Sequence, residues 1–130
     1  MSTMIFPNLP VKDLDAAKKF YTSLGFELNE EFSDDNAASI VISDTIAVML
    51  VTEKFFANFT TRGIADTSTT VESLHALGVE NRERVDGLAD AALAAGGTVA
   101  GETMDDEFMY SRGFHDLDGH HWNVWHMNLG

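Results

Sequence analysis

The sequence contains no cysteine, which excludes disulfides, thiolate metal ligands and a cysteine nucleophile. It has no apolar run near the roughly 18–20 residues that a membrane-spanning helix needs. Positive charge is scarce: eight Lys and Arg stand against 21 Asp and Glu, a net charge of −13. Such a surface repels phosphate backbones and anionic lipid, so nucleic-acid and membrane partners are not expected. The opening Met1-Ser2-Thr3 has no basic region leading into an apolar one, so no signal peptide is expected and a cytoplasmic protein is. Gly-Xaa-Ser-Xaa-Gly, phosphate-cradling glycine loops and a nucleophile spaced from a base are missing as well. Gly96-Gly97 follows a helical pattern instead of preceding one, so it reads as a helix stop.

What remains is 130 residues with 45% apolar side chains, one domain's worth of sheet-and-helix core. The pattern occurs twice. Residues 4–11 alternate as a strand, Asp13 can cap a helix carrying Leu14, Ala17, Phe20, Tyr21 and Leu24, and Gly25 stops it. Strands are predicted over 26–32, 37–43 and 46–51, with Asp34-Asp35-Asn36 and Asp44-Thr45 as turns. The second half repeats the order. A strand over 71–79 precedes a helix capped by Asn81 with Val85, Leu88, Ala89, Ala92 and Leu93 on one face. Strands over 98–101, 108–116 and 120–127 follow. Module one thus covers about residues 1–53, a linker 54–69, and module two 70–130. Phe55, Phe56 and Phe59 in the linker are expected to be buried against this domain or a partner chain.

The closing segment, Phe114-His115-Asp116-Leu117-Asp118-Gly119-His120-His121-Trp122-Asn123-Val124-Trp125-His126-Met127, holds four of the five histidines. Asp118-Gly119 suits a two-residue hairpin turn, which would oppose Asp116 to His121, Phe114 to Asn123, Arg112 to Trp125 and Tyr110 to Met127. His121 then faces the same way as Asn123, whereas His115, His120 and His126 face the other way. His75 is expected on the helix side as a hydrogen-bonded structural histidine.

Leu9-Pro10-Val11-Lys12-Asp13-Leu14 with Phe20-Tyr21-Thr22-Ser23-Leu24-Gly25-Phe26, and Phe114 through Trp122, resemble the glyoxalase/bleomycin-resistance/extradiol-dioxygenase superfamily (vicinal oxygen chelate fold). With the repeat between them, the resemblance covers nearly the whole chain. It implies an α+β fold of two βαβββ modules forming a curled, U-shaped mixed sheet, with helices outside and a ligand cleft inside. It also implies a homodimer. Metal-dependent members of the family supply one ligand from the first and one from the last strand of each module, commonly histidine and glutamate. Carried over, those positions are Phe6, Met49, Leu74 and Asn123. Phenyl, thioether, isobutyl and amide groups do not replace imidazoles and carboxylates around a divalent cation. No metal and no other cofactor is therefore expected, with a new site built from His121, Asp116 and one further donor as the alternative.

The concave wall expected from this register is apolar with a few converging polar groups, the usual make-up of a small-molecule pocket. Phe6, Phe114 and Trp125 would supply stacking and apolar contact. Asn8, Arg112 and Asn123 would orient the ligand, with Met49 and His121 beside them. Arg112 has a second reading, an ion pair with Asp105, Asp106, Glu107 or Asp116, and the whole wall has another, as core filling the cleft. The expected function is binding of a small organic molecule without metal, as in drug-sequestering bleomycin-resistance-like members. The alternatives are a metal-dependent glyoxalase-like lyase or isomerase (lactoylglutathione lyase-like) or a dioxygenase, and a metal-free enzyme using His121 or Glu72 as acid or base.

Overall fold

The computed structural model describes residues 3–128. They fall into two compact units that meet between Ala65 and Asp66, inside the expected linker. Among the described residues no helix is long and apolar enough to cross a membrane.

In the first unit β1 (Asn8–Val11) leads to α1 (Leu14–Ser23), then β2 (Glu27–Asn29), β3 (Ala37–Ser43) and β4 (Ile46–Thr52). The sheet order is β1-β4-β3-β2, with β1 parallel to β4 and the other pairs antiparallel. Asp13 starts α1 by accepting the Ala16 N–H at 3.1 Å, and Gly25 ends it at φ +99°. Strand pairing puts Leu9, Ala38, Ile40, Val48 and Leu50 on one face, all buried, as are Leu14, Ala17, Phe20 and Tyr21 of α1. The strand expected over 26–32 is shorter, because its end turns into a 3-10 helix, Glu30–Phe32. The Asn29 side chain accepts the Glu31 N–H, and Ser33 Oγ donates to the Asn29 carbonyl at 2.7 Å. Local side-chain bonds of this kind compete with the sheet ladder. After β4 comes the short α2 (Glu53–Phe56) and a 3-10 turn, Ala57–Phe59. Within this chain Phe55 and Phe56 are half-buried and Phe59 is 72% exposed, so this domain alone does not bury all three.

The second unit repeats the scheme with β5 (Leu74–Gly78), α3 (Arg82–Ala94), β6 (Thr98–Val99), β7 (Met104–Asp105), β8 (Met109–His115) and β9 (His121–Met127). Its order is β5-β9-β8-β6, with β7 also pairing β8 and with β5 parallel to β9. Asn81 caps α3 through the Arg84 N–H at 2.8 Å. The two-residue β7 has no counterpart among the described residues of the first unit and lies outside the expected strands.

The hairpin between β8 and β9 departs from the two-residue turn. Asp116 N–H donates to the His120 carbonyl at 3.0 Å and Gly119 N–H to the Asp116 carbonyl at 3.1 Å. Gly119 stands at φ +89°. These bonds enclose a three-residue loop, Leu117-Asp118-Gly119, with glycine in the left-handed position that closes such loops. The Asp116 carboxylate stiffens it by accepting the Asp118 and His120 N–H groups, each at 2.9 Å. Thr67 Oγ1, near the start of the same unit, donates to the Asp118 carbonyl.

One extra loop residue shifts the register by one. The observed pairs are His115 with His121, Phe114 with Trp122, Gly113 with Asn123, Arg112 with Val124, and Ser111 with Trp125. A one-residue slip turns a strand's side chains to the opposite face. Arg112 and Phe114 therefore do not share a face with Asn123 and Trp125, whereas His115 joins His121.

Phe114, Trp122 and Val124 are buried, together with Val85, Leu88, Ala89 and Ala92 of α3, which contacts β8 and β9. Arg112 reaches α3 and pairs with Asp86 at 3.0 Å and Asp90 at 2.9 Å; it is an ion-pair residue, with partners other than those expected. Tyr110 Oη donates to the same Asp86 oxygen at 2.5 Å. The Arg82 guanidinium lies 4.2 Å from the Tyr110 ring centre and pairs with Asp105 at 2.8 Å. The Tyr110 hydrogen bond, then Arg112, holds the Asp86 carboxyl below its ordinary range, and the same bond raises the Tyr110 phenol. Because Asp86 is depressed on folding, its contribution is present above the ordinary carboxylate range and is lost as pH falls through the lower folded value.

Two outcomes follow from this packing. Gly119→Ala must adopt a left-handed backbone and set its Cβ against the Thr67 carbonyl. Urea unfolding should show a loss of at least about 2 kcal/mol, and a loss below about 0.5 kcal/mol would contradict the loop geometry. Tyr110→Phe should raise the midpoint at which the Asp86 carboxyl carbon titrates by NMR, and an unchanged midpoint would remove Tyr110 from the network.

Candidate functional site

The face of the second sheet carrying the closing residues is built from three rows of paired positions. One runs Leu74, His121, His115, Thr98; the next Ala76, Asn123, Gly113; the third Gly78, Trp125, Ser111. Alternate residues of a strand stand roughly 7 Å apart, so the middle row of small side chains separates an imidazole row from an indole. Leu74, Ala76 and Gly78 are exposed, and His115, His121, Asn123 and Trp125 are half-buried.

Glycine shapes this surface at two places. A Cβ on Gly78 would meet Trp125 Cζ2 at 3.2 Å, so the indole lies against the bare backbone of β5. A Cβ on Gly113 would overlap the Ala100 carbonyl oxygen and come within 2.8 Å of Asn123 Oδ1. The close backbone approach and the position of the Asn123 amide both depend on that missing side chain.

The polar groups are connected. His121 Nε2 lies 3.1 Å from Asn123 Oδ1, and His115 Nδ1 lies 3.2 Å from Thr98 Oγ1. The two imidazole rings meet edge to face with centres 5.2 Å apart.

Of the residues expected on one wall, His121, Asn123 and Trp125 are together here. Arg112 and Phe114 are on the α3 side of the same sheet. Phe6, Asn8 and Met49 belong to the first unit, where Asn8 pairs with Met49 and its Nδ2 donates to the Phe6 carbonyl at 2.7 Å. Phe6 and Asn8 are exposed and Met49 is half-buried. The site residues that the two-residue-turn register missed are His115, Thr98, Ser111 and Gly113; counting Gly119 as a third loop residue would have found them.

The other histidines have structural partners. His120 is fully buried with Nδ1 2.8 Å from Glu72 Oε1, so the Glu72 carboxylate is engaged by a core histidine. His75 Nδ1 bonds the His121 carbonyl at 3.0 Å and its ring packs on Trp122 at 5.0 Å. His126 Nδ1 meets the Val79 carbonyl at 3.0 Å. A cavity of about 110 Å³ in this unit, lined in part by Arg82, Tyr110 and His126, contains none of the expected site residues.

The positions carried over from the family are Phe6 and Met49 in the first unit and Leu74 and Asn123 in the second. One amide oxygen already bonded to His121 is the only oxygen or nitrogen donor among Phe6, Met49, Leu74 and Asn123, and this set does not fit a divalent cation. Among the described residues no three His, Asp or Glu side chains group to hold a metal.

Residues 3–43 match the family model for the bleomycin resistance protein-like N-terminal region. A hypothetical protein of S. aureus, SA1046, is 34% identical with a TM-score of 0.79, over 96% of this chain and 93% of that one. A glyoxalase/bleomycin resistance protein/dioxygenase family enzyme of Burkholderia phytofirmans PsJN is 17% identical with a TM-score of 0.79, over 98% and 100% of the two chains. A glyoxalase-related enzyme of Fulvimarina pelagi is 17% identical with a TM-score of 0.80, over 97% and 88%. No curated protein matches the sequence. With a relative above 30% identity along nearly its whole length, a βαβββ repeat in the structure and the N-terminal match, the chain belongs to the glyoxalase/bleomycin resistance protein/dioxygenase superfamily.

Proposed function

We propose that this protein binds a small planar organic molecule on the open face of its second sheet, without a resident metal ion. The observation that carries the reading is the step in that face. Ala76, Asn123 and Gly113 form a low strip, with Trp125 on one side and His121, His115 and Leu74 on the other. A ring over the strip meets the indole for apolar and stacking contact and finds the Asn123 amide and His121 as polar partners. Phe6, Asn8 and Met49 offer a similar apolar surface with one amide in the first unit. Homodimerisation and a cytoplasmic location belong to the same proposal.

A metal-dependent lyase, isomerase or dioxygenase reaction is the less favoured reading, because polarising vicinal oxygens needs a Lewis acid and the donor set does not suit one. A metal-free acid–base reaction is the stronger alternative, since His121 is oriented by a neighbouring amide, as catalytic imidazoles often are.

A thermal-shift screen of untagged protein with neutral and cationic aromatic compounds tests the proposal. A binder should raise Tm for the parent protein and for Arg112→Ala, whose side chain serves α3, but not for Trp125→Ala. Loss of the shift in Arg112→Ala alone would place the ligand on the wrong face. Near-stoichiometric zinc, nickel, iron or manganese surviving dialysis would overturn the metal-free reading.

A further inference from the structure

We infer that His121 presents an unprotonated Nδ1 to the ligand, so that the open face selects a neutral or cationic ring bearing an N–H or O–H donor at its edge. This inference rests on the binding reading above and adds the ligand's chemistry.

The tautomer follows from Asn123. A carboxamide oxygen only accepts hydrogen bonds, so the 3.1 Å contact of Asn123 Oδ1 with His121 Nε2 requires the proton on Nε2. In a neutral imidazole the other nitrogen is then a bare acceptor. Among the described residues no group hydrogen-bonds His121 Nδ1, while the Nδ1 atoms of His75, His115, His120 and His126 all have partners. A half-buried acceptor without a protein partner is satisfied by a donor from outside, and a ligand that brings none leaves it unpaired at a cost.

The Asn123 side chain in turn depends on its neighbour across the ladder. Gly113 opposite leaves it room, and a Cβ there would come within 2.8 Å of its oxygen. The arrangement thus runs from Gly113 to Asn123 to His121 Nε2, and from Nδ1 outward to the ligand. Trp125, two positions further along β9 on the same face, has its indole against Gly78 at the far side of the strip. The protein's net charge of −13 disfavours an anionic ligand.

Two measurements decide the matter. Long-range ¹H–¹⁵N spectra at about pH 8, above the ordinary histidine range, should show His121 as the Nε2–H tautomer in the parent and a mixture in Asn123→Leu. The Nδ1–H tautomer in the parent would overturn the inference. Binding is then compared for indole and 1-methylindole, and for tryptamine and indole-3-acetate, by titration calorimetry. Indole should bind about fivefold to tenfold more tightly than its N-methyl counterpart, and tryptamine more tightly than the acetate. His121→Phe should erase the first difference. Equal affinities for indole and 1-methylindole in the parent would overturn the donor selectivity while leaving the binding face intact. Failure of all four probes to bind, with the Nε2–H tautomer confirmed, would overturn the binding reading and this selectivity with it.

Discussion

The three-residue loop Leu117-Asp118-Gly119 is the constraint on which the candidate site depends. Its closing bonds, Asp116 N–H to the His120 carbonyl and Gly119 N–H to the Asp116 carbonyl, fix where β9 begins to pair. Since side chains alternate along a strand, a register set at one end decides the face of every residue to the other end. The glycine can take this conformation without steric cost, and Thr67 and the Asp116 carboxylate hold the loop around it. From that loop the sheet inherits two distinct surfaces. One carries Phe114, Trp122, Val124 and the Arg112 ion pairs toward α3, and the other carries His115, His121, Asn123 and Trp125.

The division of labour between the surfaces has an electrostatic side. On the helix side, charge is abundant and paired: Asp86 receives both the Tyr110 hydroxyl and the Arg112 guanidinium, and Asp90 shares the latter. On the open side no formal charge stands among the three rows unless a histidine is protonated. The proposed binding on such a surface would depend on shape and hydrogen-bond pattern more than on charge. That suits a flat organic molecule better than a phosphate or a peptide carboxylate. Asn123, at the position where the family resemblance would put a carboxylate ligand, has its oxygen 3.1 Å from the neighbouring His121 imidazole.

Much of the fold was legible because it is written in local signals. Asp13 and Asn81 cap the helices as their side chains predict, Gly25 and Gly96 end them in the left-handed conformation, and β3 matches its expected bounds. The repeat survives low identity between the halves because alternation and capping persist where residues differ. The hairpin departs from the expected two-residue turn for a physical reason. Asp-Gly serves equally as the centre of a two-residue turn and as the last two residues of a three-residue loop, and sequence alone does not separate the two. That single choice moved Arg112 and Phe114 off the site and brought His115 onto it. The shortened β2 has a similar origin, since Asn29 and Ser33 hydrogen-bond locally and divert the chain.

The most direct test of this account is an isotope-filtered NOE spectrum of the protein with a bound aromatic ligand. Contacts from ligand protons to the ring protons of His121 and Trp125 and to the Ala76 methyl are the predicted result. Contacts to the side chains of Arg112 or Phe114 in their place would contradict both the register and the site that depends on it.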